Sequence, residues 1–497
     1  MLYTTYQLSQ EVHPNYYLYS NLLSEGWLWG RKVDNSDMQY AQFRNHLPHL
    51  TALVSLWLCI RYLYRLLSNQ TITSHVWFNL VCSICVLLGL HGTGFIKIYL
   101  IVTTSYLIGK TTGDSFLNPL LTWSFNLAVL FFNEQYHGYT FESVGLGYLD
   151  QFTGLLPRWH VLFNFSMLRL VSYNMDAYWY MKSKRHYVGL EEPSMRERIE
   201  MPYAPSTYHY SAFLSYIFYA PLYLCGPIVT FNNYMSQLQA PCSSITRPYL
   251  IQYAVRLLST LFVMEMVLHS LYVVAISKAQ AWHQDSPFEL SMIGYFNLLI
   301  IWMKLLIPWR FFRLWALLDG IWPEENMIRC MSNNFSAQRF WKSWHRSFNR
   351  WTVRYIYIPL GGSNYLGFSI WVVFTFVAIW HDIELRLLAW GWLICLFLLP
   401  EIIGSRLFSL KKYGHMWYYR FVCGIGCVFN ILMMMVANLV GFCLGLDGMK
   451  TMLSDMFHSM NGYLFLLTTV LCLFVAVQIM FEIRESEKRR GDFKWTM

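Results

Sequence analysis

Charge is what this chain of 497 residues has least of. Asp, Glu, Lys and Arg make up 13% of it, about half their share in a soluble domain. Hydrophobic residues make up 56% and aromatic residues 18%. A soluble protein of this length could bury a large core, yet it would still need a charged surface that this composition cannot supply. Lipid asks for no such surface, so the chain reads as an integral membrane protein. An apolar h-region and a small-residue cleavage site are missing from the first 45 residues, so no cleavable leader is expected and targeting rests on the first span. No internal repeat, heptad array or low-complexity tract is visible, nor the inverted-repeat symmetry that marks many transporters. Metal-ligand spacing is scarce as well. Cys82 and Cys85 form a CxxC inside "VCSICVLLGL", with no further Cys or His close by to complete a site. The cysteines read as packing, and no metal is expected. The formal net charge of +9 comes with no soluble basic domain, so it suits anionic lipid headgroups and not nucleic acid.

What is present is apolar length. Stretches near 47–68, 75–92, 94–110, 117–133, 155–180, 209–230, 250–277, 291–318, 364–381, 384–403, 418–446 and 462–482 approach the ~20 residues that a spanning helix needs. The expectation is an all-α polytopic protein with ten to twelve transmembrane or re-entrant helices. A polar N-terminal arm with an interfacial segment covers 1–46, the membrane domain covers 47–482 with a catalytic core at about 300–446, and a charged tail covers 483–497. Arg61, Arg65, Arg158, Arg169, Lys304 and Arg310 fall within spans. Charges there are costly unless they pair, face water or snorkel, and their number predicts a bundle around a wet cavity. Basic clusters at Lys182, Lys184, Arg185, Arg196 and Arg198, and at Arg484, Lys488, Arg489, Arg490 and Lys494, suggest two cytosolic loops.

The stretch "RFWKSWHRSFNRWTVRYIYIPLGG" (339–362) has helical periodicity. Trp341, Trp344, Phe348, Trp351 and Tyr355 fall on one face, and Arg339, Lys342, Arg346, Arg350 and Arg354 on the other. It predicts an interfacial amphipathic helix that ends at Pro359-Leu360-Gly361-Gly362. His345 and Asn349 sit at the boundary between the two faces. No Asp or Glu occurs from Ser336 to His381, so the region reads as positive and aromatic. That suits an amphiphile with a phosphate-bearing head, and it equally suits a helix lying on anionic lipid. An apolar span then runs into "FVAIWHDIEL" (376–385). It places His381 beside Trp380, Asp382 and Glu384, 36 positions after His345. A neutral histidine can take a proton from a hydroxyl. A lone one on an apolar helix is more often a hydrogen-bonded core residue. Glu265 and His269, at i and i+4 on another apolar helix, read as a structural polar pair.

The "W-x-x-W-H-R-S" helix, the "R-Y-I-Y-I-P-L-G-G" turn and the span ending in histidine together resemble the membrane-bound O-acyltransferase family. "SEGWLWGRKVDNSDMQY" (24–40), "LIPWRFFRLWALLDGI" (306–321), the PENMIRC-like run from Pro323 with its extra Glu, "AIWHDIELRLLAWGWL" (378–393) and "VGFCLG" (440–445) are similar to a fungal branch of it. That branch is associated with glycerol uptake and with GPI-anchor remodelling. The resemblance implies a helical fold with a transmembrane tunnel and His381 at the position of the family's catalytic histidine. His345 matches a chemically variable second position. The implied reaction moves a long-chain acyl group from acyl-CoA, a substrate and not a bound cofactor, to the sn-2 hydroxyl of a lyso-GPI-anchored protein. The implied setting is the endoplasmic reticulum membrane, with the plasma membrane as a second location. Asn349, Trp344, Arg346, Arg350, Arg354, Tyr355, Tyr357, Trp380 and Asp382 are the candidate substrate contacts. Each arginine serves equally as an ordinary interface residue, and Asp382 or Glu384 either orients His381 or caps the turn between spans. Two alternatives stay open: a glycerol or proton-coupled transporter lined by His269, Glu265 and Arg310, and a palmitoyltransferase acting on a secreted protein, as the Hedgehog acyltransferase does.

Overall fold

The computed structural model describes residues 1–69, 71–183, 193–201 and 207–491. Lys184 and Arg185 of the first basic cluster, and Lys494 of the second, lie outside the described residues. Among the described residues, eight helices are long and apolar enough to cross a membrane. Three more, Gly94–Thr112, Leu117–Tyr136 and Trp159–Ser183, match spans in length but carry more polar residues. The ends are set locally. Asp37 caps Met38–Leu67 by accepting the Tyr40 amide (3.1 Å), and Thr71 caps Ile72–His91 through the Ser74 amide. A Ser286/Glu289 capping box opens Pro287–Asp319, and Gly320 at φ +100° closes it. This 33-residue helix is the axis of the bundle. Its apolar window is 61% buried, against 11–33% for the other spans, which turn most of their apolar surface outward toward lipid.

Two expected boundaries move. The first span starts at Met38, nine residues earlier than expected, and contains Pro48. The N-terminal arm is no loose polar segment. Leu8, Tyr19 and Val33 are buried against Met264, Leu268 and Ile293. The two-stranded antiparallel hairpin Leu23–Ser24/Val33–Asp34 turns the Asp34 carboxylate into the amides of Val274 and Ala275 (3.1 and 3.0 Å). At the other end, Met460–Arg489 stays helical into the expected tail. There Arg484 is buried and donates to Asn333 (2.7 and 2.9 Å).

Four of the six charges expected within spans are satisfied inside the protein, whereas Arg65 and Arg158 are exposed, Arg158 just ahead of the helix Trp159–Ser183. Arg61 grips Asp319 with two hydrogen bonds (3.0 and 3.1 Å), and Trp57 and Tyr219 donate to the same carboxylate (2.9 and 2.6 Å). Arg169 spends its guanidinium on the carbonyls of Tyr216, Ile217 and Leu222, where the expected 209–230 span breaks into Tyr210–Phe218 and Ala220–Tyr223. Lys304 meets Asp37, and Arg310 meets Glu325. For these four, partners within the protein meet the cost that a wet cavity was expected to relieve.

Candidate active site

The aromatic–basic stretch is not one interfacial helix. It is Ala337–Ser343, a break at Trp344–His345, then Arg346–Thr352 running into a π-helical turn over Val353–Tyr357. His345 makes the break by adopting left-handed backbone (φ 45°, ψ 52°), a region that histidine enters more readily than most residues with a Cβ. The break turns the aromatic face inward. Phe348, Trp351 and Tyr355 are buried in the main core, and the Trp351 indole donates to the Leu168 carbonyl (2.9 Å). Trp344 stacks on Phe340 (5.3 Å), and its backbone bridges to Met327.

His345 is 6% exposed and packs face-on against Trp309 (ring centroids 4.5 Å apart, 25°) and Phe348 (5.1 Å, 24°). Its Nε2 has no hydrogen-bond partner among the described residues. Burial, and secondarily the nearby His381, push its pKa down to about 3. The ring is therefore neutral at physiological pH.

His381 closes the helix Leu366–His381, which starts after the Gly361–Gly362 turn. Phe348 touches both imidazoles, at 5.1 and 6.4 Å, and so does Trp380, at 6.1 and 4.8 Å. Phe348 and Trp380 stack on each other at 4.4 Å. Two histidines 36 positions apart thus converge on one aromatic pair. Trp380 is fixed by a reciprocal clasp with Asn164: the indole donates to the Asn164 carbonyl (2.9 Å), and the Asn164 amide donates to the Trp380 carbonyl (3.1 Å). Ala378 and Trp380 are buried, whereas His381 itself is exposed. Among the described residues no hydrogen bond joins its ring to Asp382. The Asp382 amide continues the helix by donating to the Ala378 carbonyl (3.1 Å), and Glu384 occupies the N-cap position of Leu385–Leu407.

A model of the membrane-bound O-acyltransferase family matches residues 116–446, which carry both histidines and all the aromatic residues around them. The chain belongs to that family. Over 97% of its length it is 47% identical to a Membrane-bound O-acyltransferase GUP1 of Candida tropicalis, covering 84% of that protein. It is 45% identical to the gup1 relative of Schizosaccharomyces pombe over 97% of this chain and 86% of that one. A shorter stretch of 194 residues is 31% identical to the mouse Protein-cysteine N-palmitoyltransferase HHAT, covering 37% of this chain and 39% of that protein. This chain is therefore an acyltransferase.

Three of the candidate arginines are paired with acids in the acyltransferase. Glu324 pairs with Arg346 (3.6 Å) and with Arg350, and Asp176 pairs with Arg354 (2.9 Å). Two acids absent from 336–381 in sequence are supplied in space, and they offset part of the positive charge of Arg339, Lys342, Arg346, Arg350 and Arg354. Burial raises the Glu324 pKa, and Arg350 and Arg346 pull it back. Tyr355 is buried, bonded to Asp176 (3.0 Å) and Ser172 (2.8 Å) and stacked on Trp179. Tyr357 lies half-buried over Gly362, and the half-buried Asn349 is one helical turn from His345. His345, Phe348, Trp380 and His381 thus come together, whereas Arg354 and Tyr355 belong to a neighbouring polar centre. A cavity of about 360 Å³ opens on that centre, lined by Asp176, Trp179, Lys182, Asn232 and Arg354. Sequence reading missed Asp176, Glu324, Trp309 and Asn164. Asp176 carried a usable signal, a lone acid within an apolar helix; Asn164 and Trp309 carried none.

Proposed function

We propose that this acyltransferase moves a long-chain acyl group from acyl-CoA to the sn-2 hydroxyl of lyso-GPI anchors on proteins, in the endoplasmic reticulum membrane. The observation that carries the reading is an accessible imidazole, His381, at the end of an apolar span, one aromatic pair away from a buried neutral imidazole. A ring nitrogen of His381 takes the hydroxyl proton as the oxygen attacks the thioester carbonyl. The tetrahedral oxyanion then collapses, the C–S bond breaks, and the CoA thiolate leaves with the proton returned from the imidazolium. General-base help of this kind supplies ~10²–10⁴-fold. His345, being neutral, keeps an N–H to offer to the oxyanion; such a donor is worth roughly 3–4 kcal/mol. Phe348 and Trp380 exclude water beside the reacting atoms.

The 194-residue similarity to a protein-cysteine N-palmitoyltransferase favours one second reading, in which the same donor is used and the acceptor is a protein amino group. Transport has weaker support. His269 is buried, bonded to the Glu265 carbonyl (2.7 Å) and to the Trp27 amide, and Glu265 receives Tyr40 and Arg44. The residues that would form a polar path tie the N-terminal hairpin to its helix.

The test uses purified protein, a labelled long-chain acyl-CoA, and lyso-GPI or an N-terminal cysteine peptide as acceptor. Ester-linked label at sn-2 of the lyso-GPI is expected. Label in the peptide alone would replace the acceptor, and uptake into vesicles without acyl transfer would overturn the reading.

A further inference from the structure

The run Glu324-Glu325-Asn326-Met327 connects the axial helix to the broken aromatic segment, and each of its residues holds a different neighbour. Glu325 accepts the Tyr253 hydroxyl (2.8 Å) and pairs with Arg310 and Arg313 (3.4 Å each), fastening the run to Arg247–Ser270 and Pro287–Asp319. Glu324 pairs with Arg346 and Arg350 on the far side of the break. Met327 bridges to the Trp344 backbone and packs with Leu306 and Trp309. Asn326 takes the first two amides after His345: its carbonyl accepts from Arg346 (3.1 Å) and its Oδ1 accepts from Ser347 (3.2 Å).

These contacts enclose one residue. Trp344 before His345 and Arg346 and Ser347 after it are all held by residues 326 and 327, and His345 between them is left-handed. Asn326 is 1% exposed and Ser347 3%, so water is no substitute for the Oδ1 contact. Trp309, the wall against the imidazole, stands on the axial helix that Glu325 grips. The run therefore fixes both the ring and the surface it packs on.

We propose that Asn326 is a positioning residue for His345: its Oδ1, by accepting the Ser347 amide, holds the left-handed break that sets the direction of the imidazole. The inference rests on the acyl-transfer reading of the two histidines. A small displacement of an aligned group costs up to ~10²-fold in rate, so Asn326 should act on turnover and leave binding of the donor alone. Nδ2 has no partner among the described residues, so Asn326→Asp keeps the acceptor and gives up an N–H that nothing uses.

The test is steady-state acylation by the purified full chain with Asn326→Ala, Asn326→Asp and His381→Ala, each also scored for thermal unfolding. Asn326→Ala should lower kcat roughly 10- to 100-fold with KM for acyl-CoA within about twofold, and Asn326→Asp should recover most of the loss. Wild-type kcat in Asn326→Ala, a loss that falls on KM, or equal damage in both variants overturns the proposal. Should Asn326→Ala not accumulate, Asn326→Ser, whose shorter hydroxyl also releases the Ser347 amide, takes its place with the same readings. His381→Ala reports on the underlying reading separately. Normal turnover in that variant removes the general base, while the Asn326 comparison still reports on His345.

Discussion

Replacing His381 by alanine should separate activity from stability, and the structure gives both magnitudes. The ring is exposed, terminates its helix and touches Trp380 edge-on at 4.8 Å and Phe348 at 6.4 Å. An edge-to-face aromatic contact is worth about 0.5–1.5 kcal/mol, and alanine has the better helix propensity. Trp380 keeps its clasp with Asn164, which involves the Trp380 indole, its carbonyl and no atom of residue 381. His381→Ala should therefore cost no more than about 1 kcal/mol and insert normally. Losing a general base removes ~10²–10⁴-fold, which is roughly 2.7–5.4 kcal/mol of barrier. The assay pairs thermal unfolding in detergent with initial acyl-transfer rates at saturating donor. A rate within a few-fold of wild type would refute the role given to His381. So would a rate loss matched by a proportionate loss of folded protein, because that would make the residue structural.

Two further outcomes follow from buried groups. Asp319→Ala removes the carboxylate shared by Arg61, Trp57 and Tyr219 and strands Arg61 at 3% exposure. Breaking a buried pair from one side costs about 3–5 kcal/mol, so size-exclusion profiles after a heat step should show early loss of the monodisperse peak; an unchanged melting profile would contradict this. Acid should also destabilise the protein through His345, whose folded pKa of about 3 lies below the ordinary 6.5. Above pH 6.5 both states are neutral and stability is complete. As pH falls from 6.5 toward 3 the unfolded chain binds a proton that the folded chain refuses, at up to about 1.4 kcal/mol per pH unit. His345→Asn, which keeps a residue tolerant of left-handed backbone, should flatten that limb in pH-dependent unfolding.

Apolar length made the fold class readable, and it placed the axial span, expected at 291–318, close to the observed Pro287–Asp319. That His381 ends its helix was readable because a histidine follows directly on an apolar run. What stayed hidden depends on pairs distant in sequence. Periodicity continues smoothly through 339–355, so nothing local marks the break at His345; it is imposed by Asn326 and Met327 from another segment. Reading charge along the chain made 336–381 look positive, because Glu324 and Asp176 approach only in three dimensions. The N-terminal arm misled in the same way: its tyrosines and Asp34 look solvent-facing until the second core cluster closes over them.

The difference in exposure between the two imidazoles is itself a reason to divide the proposed roles between them. A general base must come within hydrogen-bond reach of the proton it removes, and His345, buried between Trp309 and Phe348, leaves little room for an incoming hydroxyl. The same burial keeps its ring neutral, so its N–H can donate to a developing oxyanion without the cost of burying an imidazolium. Proton abstraction then falls to His381, the imidazole that is exposed and can meet a hydroxyl arriving from outside the aromatic wall. On this argument, another neutral donor at position 345 could carry out the donor's work, whereas no such substitution is open at 381. His345→Asn should accordingly keep measurable turnover under conditions where His381→Asn has none. The opposite order, measured in the same acylation assay, would exchange the two roles.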